Sequence, residues 1–384
     1  MRASLILFIL CTAIFSLYSQ DLDAVKEDSL QSEVLNETRS FQLYLPPSYS
    51  KYKTSKHYPV IFVLDGERLF DVTRSQVHFL SQTAKTPEAI VVGISNTNRT
   101  RDFTPTSTTI GYSGEPDEGL NESGGAESFL DFLENELLPH LESSYRLNGY
   151  YLLIGHSFGG LLGAHALAQS SVMDAYVLID PSMWWDNETV TSSLDAITLS
   201  DNPPRLYISS ADSDKYSNEI EFMRSSQVNF QQKLTQLGYV PDSNLKTVIY
   251  DQDNHGTVPL RSILDGIEFI FQGYLVEGMA HRPSAEFIRS FDAFEERMGH
   301  DFPAMEELVT WLGLRKVKEE SYQEGLPLLK MNADNYPDSW LVLYNLASTY
   351  EEMGEVKLAE EYYLKAQALA PNNPDLLEKL NNRE

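Results

Sequence analysis

The sequence predicts an α/β chain: a mostly parallel central sheet with helices on both faces, followed by an all-α region of helical repeats. Three observations carry this reading. Short continuous apolar runs recur between residues 58 and 250, several of them separated by helical stretches. Strands that alternate with helices form parallel sheets covered on both faces. One run, Tyr151-Leu152-Leu153-Ile154, leads into Gly155-His156-Ser157-Phe158-Gly159 and then into a Leu- and Ala-rich segment. That is the pattern of a strand turning sharply into a helix with a serine at the corner. From about residue 276 onward strand-like runs vanish and helical periodicity takes over.

A chain of 384 residues buries a large core and is long enough for more than one domain. Its formal net charge of -27 argues against nucleic acid or an anionic membrane as a partner. Residues 1–20 read as a signal peptide: Arg2 precedes an apolar run from Leu5 to Phe15, and Ser16, Ser19 and Gln20 offer a small-residue cleavage region. The chain is therefore expected to be exported, to the periplasm or beyond the cell. An uncleaved membrane anchor is the second reading, although the run is short for a span. Cys11 is the single cysteine, so cleavage leaves neither disulfides nor a cysteine nucleophile.

Residues 21–275 are expected to form the α/β domain. Phe41 to Tyr44 alternates like a strand. Tyr58 to Leu64 is continuously apolar, as in a strand buried on both faces, and stops at Asp65-Gly66-Glu67. Ala89 to Ile94 stops at Ser95-Asn96. The run before Ser157 follows, then Ala175 to Ile179, which stops at Asp180-Pro181-Ser182. Leu206 to Ser209 and Leu245 to Tyr250 complete the set. Helices are expected over Ala126 to Leu141, where Phe129, Leu130, Leu133, Leu137 and Leu138 share a face, and over Glu219 to Leu237. Parallel sheets of this kind carry their sites at the carboxyl ends of the strands. Ser157 and the segments beginning at Asp65, Asn96, Asp180 and Ser210 should therefore crowd one edge.

Ser157 is the expected nucleophile. Gly155 and Gly159 leave room for the tight turn, and a helix N-terminus favours developing negative charge. A glycine-rich loop with an incidental serine is the competing reading, and the flanking strand and helix weigh against it. A serine nucleophile needs a base, and the base needs an orienting carboxylate. His165 lies inside the helix after the serine and His281 in a helical region beyond the last strand. His255, in the polar turn Asp253-Asn254-His255-Gly256, is the expected base. Asp212, just past the run ending at Ser209, is the expected acid; Asp214, Glu219 and Glu221 are close enough to compete. The backbone amides of Phe158 and Glu67 are the expected oxyanion donors. The pattern calls for no metal or cofactor.

The matching segments are Tyr58-Pro59-Val60 through Leu64-Asp65-Gly66, Val91 to Thr97 with Arg99 to Pro105, Gly124-Gly125-Ala126, Tyr145-Arg146, the serine corner, and Asp180-Pro181-Ser182-Met183-Trp184-Trp185. In these, residues about 40 to 275 resemble the Putative esterase family of α/β-hydrolases, the esterase D and ferri-enterobactin esterase type. The resemblance implies Ser157 as nucleophile, His255 as base and Asp212 as acid. Some members draw the acid from further along, which keeps Glu219 and Glu221 open. Arg99 and Arg101 either meet a substrate anion at the rim or pair with Asp102 or Glu127. Trp184 and Trp185 either line an acyl or aryl pocket or belong to the core.

Residues 276–384 form the helical region. Leu343, Leu346, Ala347, Tyr350, Gly354, Ala359 and Tyr363 resemble a tetratricopeptide repeat over 340–373. A shift back of about 34 residues finds a degenerate copy over 306–339, with Val309, Leu312, Gly313 and Gly325. A generic helical hairpin is the plainer alternative. Two repeats are few for an independent solenoid, so the region is expected to dock on the α/β domain near the strand ends, where a lid acts.

Together these features imply an exported serine esterase that hydrolyses a carboxylic ester through an acyl-enzyme on Ser157. Siderophore, polysaccharide-linked acyl and small esters are the candidate substrates. The alternatives are acyl transfer to a sugar or alcohol, and an inactive hydrolase scaffold that binds a protein partner through its repeats.

Overall fold

The structure, a computed structural model, describes residues 25–52, 56–169, 171–212 and 218–381. The expected signal peptide, Cys11 and Asp214 lie outside the described residues, as do the side chains of Glu219 and Glu221. Among the described residues no helix is long and apolar enough to cross a membrane.

Eight strands form one sheet: β1 (Val25–Ser32), β2 (Glu37–Tyr44), β3 (Tyr58–Val63), β4 (Ile90–Ile94), β5 (Leu147–His156), β6 (Ala175–Ile179), β7 (Arg205–Ala211) and β8 (Leu245–Tyr250). Their order is β1-β2-β4-β3-β5-β6-β7-β8. The β1–β2 and β2–β4 pairs are antiparallel; the pairs from β4 through β8 are parallel. The continuous apolar runs are the strands buried on both faces. In β3, Val60 and Phe62 enter one core and Ile61 and Val63 the other, because successive side chains leave opposite faces. β1, Val-Lys-Glu-Asp-Ser-Leu-Gln-Ser, has no apolar alternation to announce it. It is a charged edge strand held by backbone pairing to β2.

Helices cover both faces. α1 (Gly66–Gln82) brings Leu69, Phe70 and Val77 to one core, and α2 (Phe158–Ala168) brings Leu161 and Leu162 to the other. The consecutive helical segments Ala126–Phe132, Leu133–Leu137 and Leu138–Ser144 join the α2 face, the middle one as a π turn. α3 (Asn218–Leu237) adds Phe230 and Leu234 there, and α4 (Pro259–Ile270) adds Ile263 and Ile267 to the α1 face.

The helical region comprises α5 (Ser284–Met298), α6 (Glu306–Lys318), α7 (Tyr322–Asn335), α8 (Trp340–Glu352), α9 (Val356–Leu369) and α10 (Pro374–Asn381). It does not lie over the carboxyl ends of the strands, which corrects the expectation of a lid. The Phe302 ring packs on Tyr150 (5.3 Å between centroids), at the start of β5. His300 Nδ1 meets Asn148 O at 3.2 Å and its Nε2 meets Asp174 Oδ1, just before β6, at 3.3 Å. Tyr336 packs on Tyr52 (5.0 Å), and Lys51 pairs with Glu306 (3.0 Å) and Glu307 (2.8 Å), ahead of β3. All these contacts fall at the amino ends of the strands. The reason is apolar surface: Tyr150, Phe271 and Tyr274 share one core with Phe287, Phe291 and Phe294.

Candidate active site

Ser157 is the hinge between β5 and α2. Its backbone stands at φ 60°, ψ -116°, a conformation that costs about 1–3 kcal/mol for a non-glycine residue. The turn is tight enough that a Cβ on Gly155 would lie 2.2 Å from Gly159 O, and one on Gly160 would lie 2.9 Å from Pro181 Cβ. A Cβ on Gly159 itself would make only ordinary contact with Leu64 at 3.4 Å, so the crowding falls on Gly155 and Gly160. Ser157 Oγ is 3.3 Å from the hydroxyl of Ser182, in the loop after β6.

His255 reaches this edge from the loop after β8. Its Nδ1–H donates to Asp180 Oδ2 at 2.7 Å. The carboxylate facing the histidine thus comes from Asp180 and not from Asp212, the residue expected from the sequence. Sheet order explains this. β6 is the immediate neighbour of β5, with Ile179 paired to His156, so Asp180 follows directly beside Ser157. β7 lies one strand further out, roughly 5 Å more, and Asp212 is engaged by Arg224 (Nη2–Oδ1 2.6 Å). Asp180 Oδ1 accepts from Gln227 Nε2 at 2.9 Å. Burial works against the Asp180 charge. The hydrogen bonds from His255, Gln227 and the Ala211 amide outweigh it and hold the carboxyl below its ordinary range.

The amides expected to serve the oxyanion both begin helices. Phe158 is the first residue of α2 and Glu67 the second of α1, where N–H groups lack acceptors within the helix. The Glu67 carboxylate is turned onto Asn96, taking Nδ2–H at 2.7 Å and the amide at 3.3 Å. Arg99 is held by Asp65 through Nε (2.6 Å) and Nη2 (3.0 Å), and Nη2 also donates to His156 O (3.0 Å). It therefore ties the ends of β3 and β5 to the loop after β4. Arg101 pairs with Glu37 (2.8 Å) and Asp102 (2.7 Å); the other oxygen of the buried Asp102 accepts from Arg39 at 2.6 Å. Trp185 is fully buried, its indole N–H donating to Thr106 (3.1 Å). Trp184 is nearly buried between Phe158 (6.2 Å) and the half-exposed Tyr112 (6.1 Å), making an aromatic wall beside Ser157.

Sequence reasoning missed Asp180 as the partner of His255, and also Gln227, Ser182, Arg68 and His156. Asp180 carried a usable signal: it ends the strand that follows the nucleophile in the chain. Arg68 contacts Gly256 and His156, and no motif marks it. Among the described residues no cluster of three His, Cys, Asp or Glu side chains is spaced to hold a metal ion.

This fold, with a strained serine at a strand-to-helix corner and a carboxylate-bound histidine on the same edge, defines a carboxylic ester hydrolase of the serine-hydrolase class. The Putative esterase family model matches residues 32–237, and the chain belongs to that family. A tetratricopeptide repeat model matches residues 340–373. The ferri-bacillibactin esterase BesA of Bacillus subtilis is 28% identical over 186 residues, 44% of this chain and 64% of that protein. A siderophore triacetylfusarinine C esterase of Aspergillus fumigatus is 30% identical over 145 residues, 34% of this chain and 46% of that protein. The crystal structure of an IroE-like serine hydrolase from Shewanella oneidensis superposes with a TM-score of 0.71 at 29% identity, covering 81% of this chain and 99% of the other.

Proposed function

We propose that the protein is an exported serine esterase that cleaves a carboxylic ester by way of an acyl-enzyme on Ser157. The observation that carries this reading is the His255–Asp180 hydrogen bond on the edge where Ser157 holds its strained backbone. With Nδ1–H committed to Asp180, Nε2 keeps the lone pair that takes the Ser157 proton. Ser157 Oγ bonds to the ester carbonyl carbon, and the carbonyl oxygen becomes an oxyanion facing the Phe158 and Glu67 amides. Collapse breaks the bond to the alcohol, which leaves with the proton held by His255. Water then repeats the sequence on the acyl-enzyme: His255 takes its proton, the acid departs, and Ser157 regains its hydrogen.

Siderophore esters are the substrate class we favour, because the relatives named above are siderophore esterases. The aromatic wall of Trp184 and Tyr112 suits an aryl or acyl group. Export rests on the leader-like residues 1–20. Incubation with a fluorophosphonate probe tests the chemistry. Wild-type protein is expected to be labelled and Ser157→Ala to be neither labelled nor active on p-nitrophenyl butyrate. Equal labelling of the two would sink Ser157 as the nucleophile, and no labelling of wild type would favour the scaffold alternative.

A further inference from the structure

His255 is about 44% exposed, and among the described residues a single hydrogen bond, through Nδ1, fixes one edge of its ring. Two groups that the mechanism does not use meet this ring and its loop. Arg68, in the first turn of α1, donates from Nη2 to the carbonyl of Gly256 at 2.8 Å. Its Nη1 faces His156 Nδ1 at 3.4 Å. His156, the last residue of β5, is only 2% exposed, and its ring lies 4.4 Å from that of His255 with 40° between the planes.

We propose, building on the serine-esterase reading, that Arg68 and His156 form a clamp that positions His255. The His156 ring is the wall behind the imidazole, and Arg68 ties the His255–Gly256 loop to the strand end that carries Ser157. Both are positioning residues. The chemistry of His156 fits the role. Burial, with repulsion from Arg68 and from His255 once that ring is protonated, pushes its pKa down to about 3. It therefore stays neutral and does not repel an imidazolium forming on His255. With Nδ1 turned to Arg68 as the acceptor, the His156 proton sits on Nε2, which is buried without a hydrogen-bond partner among the described residues. A hydrocarbon ring would fill the same place without that penalty. What histidine adds is the contact with Arg68.

Misplacing a base by about an ångström can cost as much as about 100-fold in rate. Arg68→Met and His156→Ala are therefore each expected to lower kcat and the fluorophosphonate labelling rate by about 10- to 100-fold, with KM nearly constant. Arg68→Lys, which keeps the positive charge and a donor on a shorter side chain, should recover part of the loss. His156→Phe should fall between wild type and His156→Ala. The double variant Arg68→Met/His156→Ala should be no slower than the worse single, because both act on one ring. Wild-type kcat in the folded single variants, a rise in KM alone, or losses that multiply in the double variant would each overturn the clamp. If His156→Ala fails to fold, Arg68→Met and Arg68→Lys decide the matter. Failure of wild type itself to label would instead refute the serine-esterase reading.

Discussion

Asp180→Asn is the most discriminating substitution at this site, and the structure sets its magnitude. Asp180 Oδ2 accepts the Nδ1–H of His255 at 2.7 Å while Oδ1 accepts from Gln227 Nε2 at 2.9 Å. Gln227 is itself fixed: Nε2 also donates to Pro181 O at 3.0 Å, and Oε1 accepts the Ser210 hydroxyl. A replacement amide must therefore turn its oxygen to Gln227 and its NH2 to His255. Nδ1 then has to accept, the proton moves to Nε2, and the lone pair that takes the Ser157 proton is lost. In triads the wrong tautomer lowers kcat by about 10⁴, or ~5 kcal/mol in barrier at 1.36 kcal/mol per decade. Asp212→Asn breaks only a partly exposed pair with Arg224, so its turnover should stay within about threefold of wild type. The assay is kcat/KM on p-nitrophenyl butyrate, with circular dichroism to show that both variants are folded. Asp180→Asn within tenfold of wild type, with Asp212→Asn crippled, would refute the assignment and return the acid to β7.

Two further predictions concern stability. Hydrogen bonds from Arg101, set against some desolvation, lower the Glu37 carboxyl from 4.5 to about 2. A depressed folded-state value contributes stability that is present above pH 4.5 and is lost as pH falls toward about 2. Glu37→Gln should flatten the acid limb of a urea-denaturation pH series, and an unchanged slope between those values would contradict it. Phe302 is buried against Tyr150, Phe271 and Phe294. Phe302→Ala should cost about 3–5 kcal/mol yet leave KM for p-nitrophenyl butyrate unchanged; a shifted KM would mean the helical region does communicate with the site.

What the sequence made legible follows the strength of its physical signals. β3, β4 and β6 are announced by unbroken apolar runs because burial on both faces demands them. β1 is not, because Lys26, Glu27 and Asp28 face solvent and only the backbone pairs. Ser157 is readable since the turn dictates its glycine neighbours, and His255 since few histidines follow it. The acid is harder. β6 and β7 are both followed by aspartates, and spacing along the chain does not say which strand is the neighbour of β5. Sheet order does, and so does Arg224, which supplies Asp212 with a different partner. The position of the helical region was hidden for a similar reason. Its repeat pattern predicts helices, but the surface that receives them is assembled from Tyr52, Tyr150 and the segment from Phe271 to Tyr274, three stretches far apart in the chain.

The two ends of the sheet divide the work between strain and stability. Asp65, Ser157 and Asp180 follow the carboxyl ends of β3, β5 and β6, and all three have positive φ: 55°, 60° and 42°. Each costs about 1–3 kcal/mol, and they persist only because the surroundings hold them. Arg99 binds Asp65 and the carbonyl before Ser157; His255 and Gln227 bind Asp180. Those polar ties fix geometry but add little net stability in a partly wet site. The apolar contribution comes from the opposite edge, where Phe302, Phe294 and Tyr336 from the helical region cover the amino ends of the same strands. A helical cap over the carboxyl ends would have buried the site it steadies. Set at the amino ends, it adds apolar burial to the strands that carry the three strained residues while leaving Ser157 and the aromatic wall uncovered.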